Sequence, residues 1–415
     1  MSIQKPVVWV SALMTRFEEQ LPCRIGPQTH LTRINVQQNK ESLIHISKWK
    51  FSLVISGLTK TLTKINEIQQ LPEFQRDYYE SLLIVLDTLE KCLSSQPAEA
   101  PKYDDLMNVK LLLKEICQFL DMNNETSSQV AQIRQLASKV LFALSVNNFQ
   151  AVFNRISGRL QELSVSSEES PDHTDIELIQ HIHVDLSRLI KLLQEAISKF
   201  KSLKKAAHIS LMTSLEKAIW NWMDTYPKEF TELQSMQNEE LSRCCDNLFD
   251  LIDTFAETKG KNKNAIWPLQ LMLLILTPKV LEEIYNADTG APCSTKHVRK
   301  KQFIDSIKKA LSPHSGKVTE AAAITCVKLC KAATYINILD SNNVIFSLVQ
   351  SVINDLKILL FKPDKPFSRG VGYLKEKEDI DPLIDCFLAN FRLNPHNNDT
   401  LKVLFCSIKF SGDLV

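Results

Sequence analysis

In the stretch SLLIVLDTLEKCL (81–93), Leu82, Leu83, Leu86, Leu89 and Leu93 recur at three- and four-residue steps. On a helix that spacing lines one face with apolar side chains, and such a face needs a neighbour to cover it. The same spacing returns over 107–120, 130–144, 152–163, 176–200, 211–223 and 241–255, and again over 267–276, 303–311, 321–333, 344–360 and 383–391. Two-residue alternation bounded by turn residues is almost absent. Glycine is rare as well, 9 residues in 415, which argues against hairpin-rich folds, phosphate-cradling loops and flexible linkers together. These features predict an all-α protein.

Polar breaks separate the helical segments, notably SSQPAEAPKYDD (94–105), SVSSEESPDHTD (164–175), TKGKNKN (258–264), NADTGAPCSTKH (286–297) and KPDKPFSRGVGYLKEKED (362–379). Helices paired across such breaks over this length predict an α-solenoid of HEAT/armadillo-like helical repeats, with a globular helical domain as the competing architecture. The breaks suggest helical segments at 1–163, 164–257 and 265–415.

Apolar residues make up 44% and charged residues 23%, the profile of a folded soluble chain. A net charge of +1 supplies no global field for nucleic acid or an acidic membrane, so no nucleic-acid partner is expected. The ten cysteines are scattered without a Cys-x-x-Cys pair, as expected for a reducing, cytoplasmic setting. The N-terminal run MSIQKPVVWVSALMTRFEEQ reads as an amphipathic helix without a cleavage site. The most apolar segment, PLQLMLLILTPKVL (268–281), is short for a bilayer and interrupted by Pro278.

Few residues nominate a site. Trp220 and Trp222 point to different helix faces; Trp220 is expected in the core with Leu215, Ala218 and Ile219, and Trp222 half-covered by the next helix. His181 and His183, near Asp172, His173 and Asp175, are two residues apart, whereas helical metal pairs need steps of three or four. Asp172 or Thr174 serves better as a helix cap. Cys326 and Cys330 are one turn apart in an Ala- and Val-rich helix, which favours core packing, and vicinal Cys244 and Cys245 have no partner base. No catalytic motif, metal site or cofactor is expected.

Two basic clusters are candidate interaction patches for protein partners or, weakly, an anionic membrane. One holds Lys199, Lys201, Lys204 and Lys205; the other holds Lys296, Arg299, Lys300 and Lys301, continuing to Lys308 and Lys309. Near the C-terminus, CFLANFRLNPHN (386–397) places Arg392 where a helix should end, because Asn394 precedes Pro395. A cation there suits a helix C-terminus.

The blocks KFSLVISGL (50–58), LDTLEKCL (86–93), AVFNRISGRLQEL (151–163), SLEKAIWNW (214–222), CVKLCKAATYIN (326–337), KPFSRG (365–370) and PHNN (395–398) resemble the N-terminal region of the neurofibromin family, in an invertebrate-like form. They occur in the family's order between residues 9 and about 403. The resemblance implies a segment of a cytoplasmic negative regulator of Ras signalling that assembles as a homodimer. In that family a central domain supplies an arginine in trans to GTP hydrolysis. No residue here matches the finger loop, and FLANFR departs from the family's catalytic string, in which Arg directly follows Phe-Leu. Ras would thus be met only through a domain absent from this chain, and no catalytic residue is carried over. The ending CSIKFSGDLV falls mid-repeat, which suggests a fragment or truncated form that self-associates through uncapped C-terminal helices. Without a longer parent, the chain would be an autonomous short scaffold acting through the basic clusters.

Overall fold

The computed structural model describes residues 4–23, 34–67, 75–95, 106–120, 127–165, 174–259, 266–287, 290, 293–311, 317–336, 343–360, 384–386 and 388–389. Of the stretch 386–397 only Cys386, Leu388 and Ala389 are described; Arg392 and the blocks at 365–370 and 395–398 lie outside the described residues. Every regular element among the described residues is helical: α1 (Gln4–Glu19), α2 (Ile34–Asn66), α3 (Gln75–Ser94), α4 (Leu106–Leu120), α5 (Ser128–Val165), α6 (Thr174–Glu177), α7 (Leu186–Phe200), α8 (Lys205–Thr225), α9 (Pro227–Ser235), α10 (Glu239–Lys259), α11 (Trp267–Ile275), α12 (Pro278–Ala287), α13 (Val298–Ala310), α14 (Lys317–Thr334) and α15 (Val344–Leu360). The fold is all-α. The helices pack on near neighbours in the chain, the local contact pattern of a helical solenoid.

The chain divides into two compact units, Met1–Val184 with Ser202–Ser214, and Asp185–Lys201 with Leu215–Val415. In the first, α2 packs on α1, α3 and α4, and α5 covers α3 and α4. The α3 stripe is buried as its spacing demands, with Leu82, Leu86 and Leu89 fully enclosed. Among the described residues one helix, α5, is long and apolar enough to cross a membrane, and half of its most apolar stretch is buried inside the protein. It bends at Asn148 (φ −124°, ψ 31°).

A bend also interrupts α2, at Lys50 (φ −134°, ψ 49°). Asn39 bonds Gln20 at 2.7 Å, while Thr61 bonds Glu18 at 2.8 Å, so both reach neighbouring turns of α1. In a straight helix Asn39 and Thr61 would stand about 33 Å apart at ~1.5 Å rise per residue. The two halves of α2 therefore fold back on each other around Lys50, with α1 beside both. Lys40 of the first half pairs with Asp87 of α3, and Lys91 joins Asp87 at 3.1 Å. Burial alone would raise the Asp87 carboxyl, but the lysines on either side outweigh it and hold it below the usual range.

Gly57 permits the close approach of α1. A Cβ added there would meet Met14 Cγ at 2.9 Å and Sδ at 3.1 Å. Gly57→Ala is expected to be nearly neutral, since helix propensity gains about 1 kcal/mol against the crowding. Gly57→Val should lose roughly 2 kcal/mol by forcing Met14 aside, and Met14→Ala should restore part of it. Equal guanidinium midpoints for Gly57→Val and wild type would remove the close contact as an explanation.

In the second unit α10 packs on α7 and α11, and α14 on α11, α13 and α15. Residues Leu269 to Ile275 of α11 are all buried, which makes it a core helix rather than an amphipathic surface one. Pro278 ends that run and opens α12, while the Thr277 hydroxyl donates to the Leu273 carbonyl at 3.1 Å.

The periodicity over 176–200 suggested one helix, and the structure corrects this. A 3₁₀ turn at Leu178–His181 follows α6, Ile182 is extended, and α7 begins afresh after Asp185. The Ser145 hydroxyl accepts the His183 amide at 2.7 Å, and the Asp185 carboxylate accepts the Arg188 amide at 2.8 Å. These two side-chain acceptors satisfy amides that a continuous helix would have bonded internally.

Candidate interaction surfaces

The expectation for the Trp pair is half right. Trp220 is buried, its indole N–H donating to Glu216 at 3.0 Å and its ring facing Lys331 Nζ at 4.6 Å. Trp222 is not half-covered but completely enclosed. Its N–H donates to Glu229 at 3.1 Å and its ring stands edge-on to Phe230, with centroids 6.2 Å apart. The α8–α9 corner folds Phe230 back over Trp222, closing a face that the sequence of α8 alone leaves open. The end of α14 completes the corner: Lys331 lies 3.7 Å from Asp224, and the Tyr335 hydroxyl bonds the same carboxylate.

The second basic cluster is partly paired into the fold, while Lys296 and Arg299 stay exposed. Lys300 is 2% exposed and does not belong to an open patch. Its Nζ lies 3.2 Å from Asp250 and 3.7 Å from Asp246, one turn apart on α10, and 5.1 Å from the Phe249 ring centroid. Phe303, one turn on from Lys300, packs edge-on against Phe249 at 5.5 Å. Arg299 pairs with Asp253 at 3.3 Å and Lys301 with Asp305 at 2.9 Å. Lys296 is exposed in the turn before α13. In the first cluster, Lys201 and Lys204 are exposed and Lys199 and Lys205 half-buried. Lys199 and Lys201 belong to one unit and Lys204 and Lys205 to the other.

His181 and His183 diverge. His181 Nδ1 meets the Ser138 hydroxyl at 2.9 Å, and the His183 ring packs edge-on against Phe142 with centroids 5.3 Å apart. Among the described residues no three His, Cys, Asp or Glu side chains converge as a metal site. Asp172 and His173 lie outside the described residues. A crevice beside Cys326, between Leu271, Ile304 and Leu348, has a volume of about 10 Å³, room for about one water.

The inner cysteines are chemically quiet. Burial pushes the Cys92 thiol up to about 11 and Cys326 to about 12, and Cys245 is raised well above its ordinary value by the same cause. Cys330 is raised by its hydrogen bond with the Cys386 thiol and by burial. These thiols keep their protons in the fold and lose them near pH 9 when unfolded. Stability should therefore be level in pH below about 9 and fall as pH rises through the folded values. Denaturation midpoints taken from pH 7 upward in reductant test this, and the fall should be shallower in a Cys92→Ala/Cys326→Ala variant. Native alkylation should reach Cys293 before Cys92, Cys245 or Cys326.

The sequence reading missed a group that burial singles out. Val7, Val8 and Trp9 of α1 and Trp49 of α2 are large apolar residues left exposed, Trp9 at 75% and Trp49 at 78%. The visible signal is the string KWK (48–50), a tryptophan off the buried stripe of Leu43, Ser47 and Val54 with a lysine on each side.

No family model matches the chain. Among solved structures it is similar to a circular tandem repeat protein with novel repeat topology and enhanced subunit contact surfaces, at 11% identity over 97% of each chain and a TM-score of 0.27.

Proposed function

We propose that this chain is a non-catalytic helical scaffold segment, the N-terminal part of a neurofibromin-like negative regulator of Ras signalling. The order of the resembling blocks carries the reading: those at 50–58, 86–93, 151–163, 214–222 and 326–337 follow the family's succession along α2, α3, α5, α8 and α14. In this reading the helices form HEAT/armadillo-like repeats, the parent protein is a cytoplasmic homodimer, and this segment offers surface to protein partners. Ras is engaged only through a downstream domain that supplies the arginine in trans. Neither cofactor nor nucleic acid enters the role.

Two measurements test it. Added to Ras·GTP, the 415-residue chain should leave the hydrolysis rate unchanged, and acceleration would overturn the non-catalytic role. The coding sequence downstream should continue in frame into a GTPase-activating domain. Transcripts that all stop beforehand would leave an autonomous scaffold in its place.

A further inference from the structure

The exposed tryptophans belong to different segments, yet the packing brings them to one end of the first helical layer. Met14 lies against Gly57 and Glu18 bonds Thr61, so α1 runs parallel to the second half of α2 with an offset that sets Trp9 level with Ser52. Gln20 bonds Asn39, and α1 runs antiparallel to the first half of α2, which sets Trp9 level with Lys50. Taken together, these contacts place Trp9 within a few residues' rise of the fold-back, and Trp49 sits at the fold-back itself. Val7 and Val8 lie at the same end, both about half exposed or more.

Along the described residues of α1 and α2, the charge beside this apolar end has one sign. Lys48 and Lys50 flank Trp49 and are exposed. No acidic residue occurs from Gln4 to Phe17 in α1 or from Ser42 to Asn66 in α2. On α3, Asp87 is engaged with Lys40 and Lys91, and Glu90 accepts from the Ser94 hydroxyl at 2.9 Å. Exposed tryptophan between lysines, with valines beside it, matches the layered chemistry of a membrane interface. Indole rings settle at the headgroup level, small apolar side chains reach the acyl boundary, and ammonium groups meet anionic headgroups. A protein groove would cover the rings equally well, but it gives no reason for an acid-free, lysine-flanked rim.

We propose that this end of the first helical layer, built from Val7, Val8, Trp9, Lys48, Trp49 and Lys50, docks on an anionic lipid surface. The contact is shallow and reversible, since two rings and two cations give only weak attachment on their own. It is separate from the lysines of 199–205, and it does not depend on the neurofibromin reading.

Flotation of the full chain with phosphatidylcholine vesicles, with and without phosphatidylserine, tests the proposal. The chain should float with the phosphatidylserine vesicles only, and raising the salt should release it. Trp9→Ala/Trp49→Ala and Lys48→Glu/Lys50→Glu should each weaken partitioning by ~10-fold or more, at about five-fold per lysine charge lost. Lys201→Glu/Lys204→Glu should leave it unchanged. Quenching of tryptophan emission by bromine-labelled lipid should appear in wild type and vanish in Trp9→Ala/Trp49→Ala. All substituted residues are exposed, so the variants should keep the wild-type circular dichroism. Failure to float, or flotation that survives loss of both tryptophans, overturns the proposal. Self-association that Trp9→Ala/Trp49→Ala abolishes, without lipid binding, would do so in favour of a protein-covered face.

Discussion

Replacing Trp222 by alanine should lower the stability of the second unit by about 3–5 kcal/mol, the range for deleting a large aromatic from a closed core. Three effects add. The ring is completely enclosed, so its volume becomes a cavity. Phe230 loses the edge-on partner that fixes the α8–α9 corner. Glu229 loses the indole donor at 3.1 Å, although it can turn to water. Trp222→Phe should cost clearly less, because it keeps the aromatic contact and gives up only the N–H and part of the volume. Guanidinium unfolding followed by circular dichroism measures both, and a loss below ~1 kcal/mol for Trp222→Ala would contradict a rigid closed corner.

Lys300 should discriminate charge from bulk. Lys300→Glu sets a third carboxylate among Asp246 and Asp250 beneath the Phe249 ring, and should cost roughly 3–5 kcal/mol as a broken buried pair with added repulsion. Lys300→Met should cost about 1–2 kcal/mol, clearly less than Lys300→Glu. Methionine fills the space under Phe249, and Asp250, with a side chain 61% exposed, stays hydrated, but Asp246 Oδ1 is buried and loses the ammonium 3.7 Å away. Added salt should recover part of the loss in Lys300→Glu and little in Lys300→Met. Equal costs for the two substitutions would mean that packing, not charge pairing, governs this position.

The helices that the sequence announces plainly are those whose burial is one-sided and continuous. α3 is the best case, since Leu82, Leu86, Leu89 and Leu93 leave no doubt about the covered face. α2 hides because its second half is rich in serine, threonine and β-branched residues, and because the fold-back at Lys50 breaks the stripe in two. The stop at Ile182 has no glycine or proline to mark it; the acceptor that creates it, Ser145, stands 38 residues upstream. Lys300 misleads for the same reason. A lysine amid lysines reads as surface, and its partners Asp246 and Asp250 lie on another helix about fifty residues before it. Trp222 needed Phe230, which arrives only after the Pro227 turn. What a local reading lacks in each case is the neighbour, and with it the difference between a face awaiting cover and a face already covered. The exposed Trp9 and Trp49 are the converse, aromatic residues that composition assigns to a core and packing leaves outside.

The stacking of each helix on near neighbours has a bearing on how the chain comes to be folded. Most contacts of α1 through α5 are with helices made just before or just after, so little loop-closure entropy stands in the way of assembly. On the ribosome, the α1–α2 layer can close as soon as α2 has emerged, with α3 added to a surface already formed. The stripes of α3 and α4 are then both covered when α5 arrives, and the length of chain left sticky at any moment during synthesis stays short.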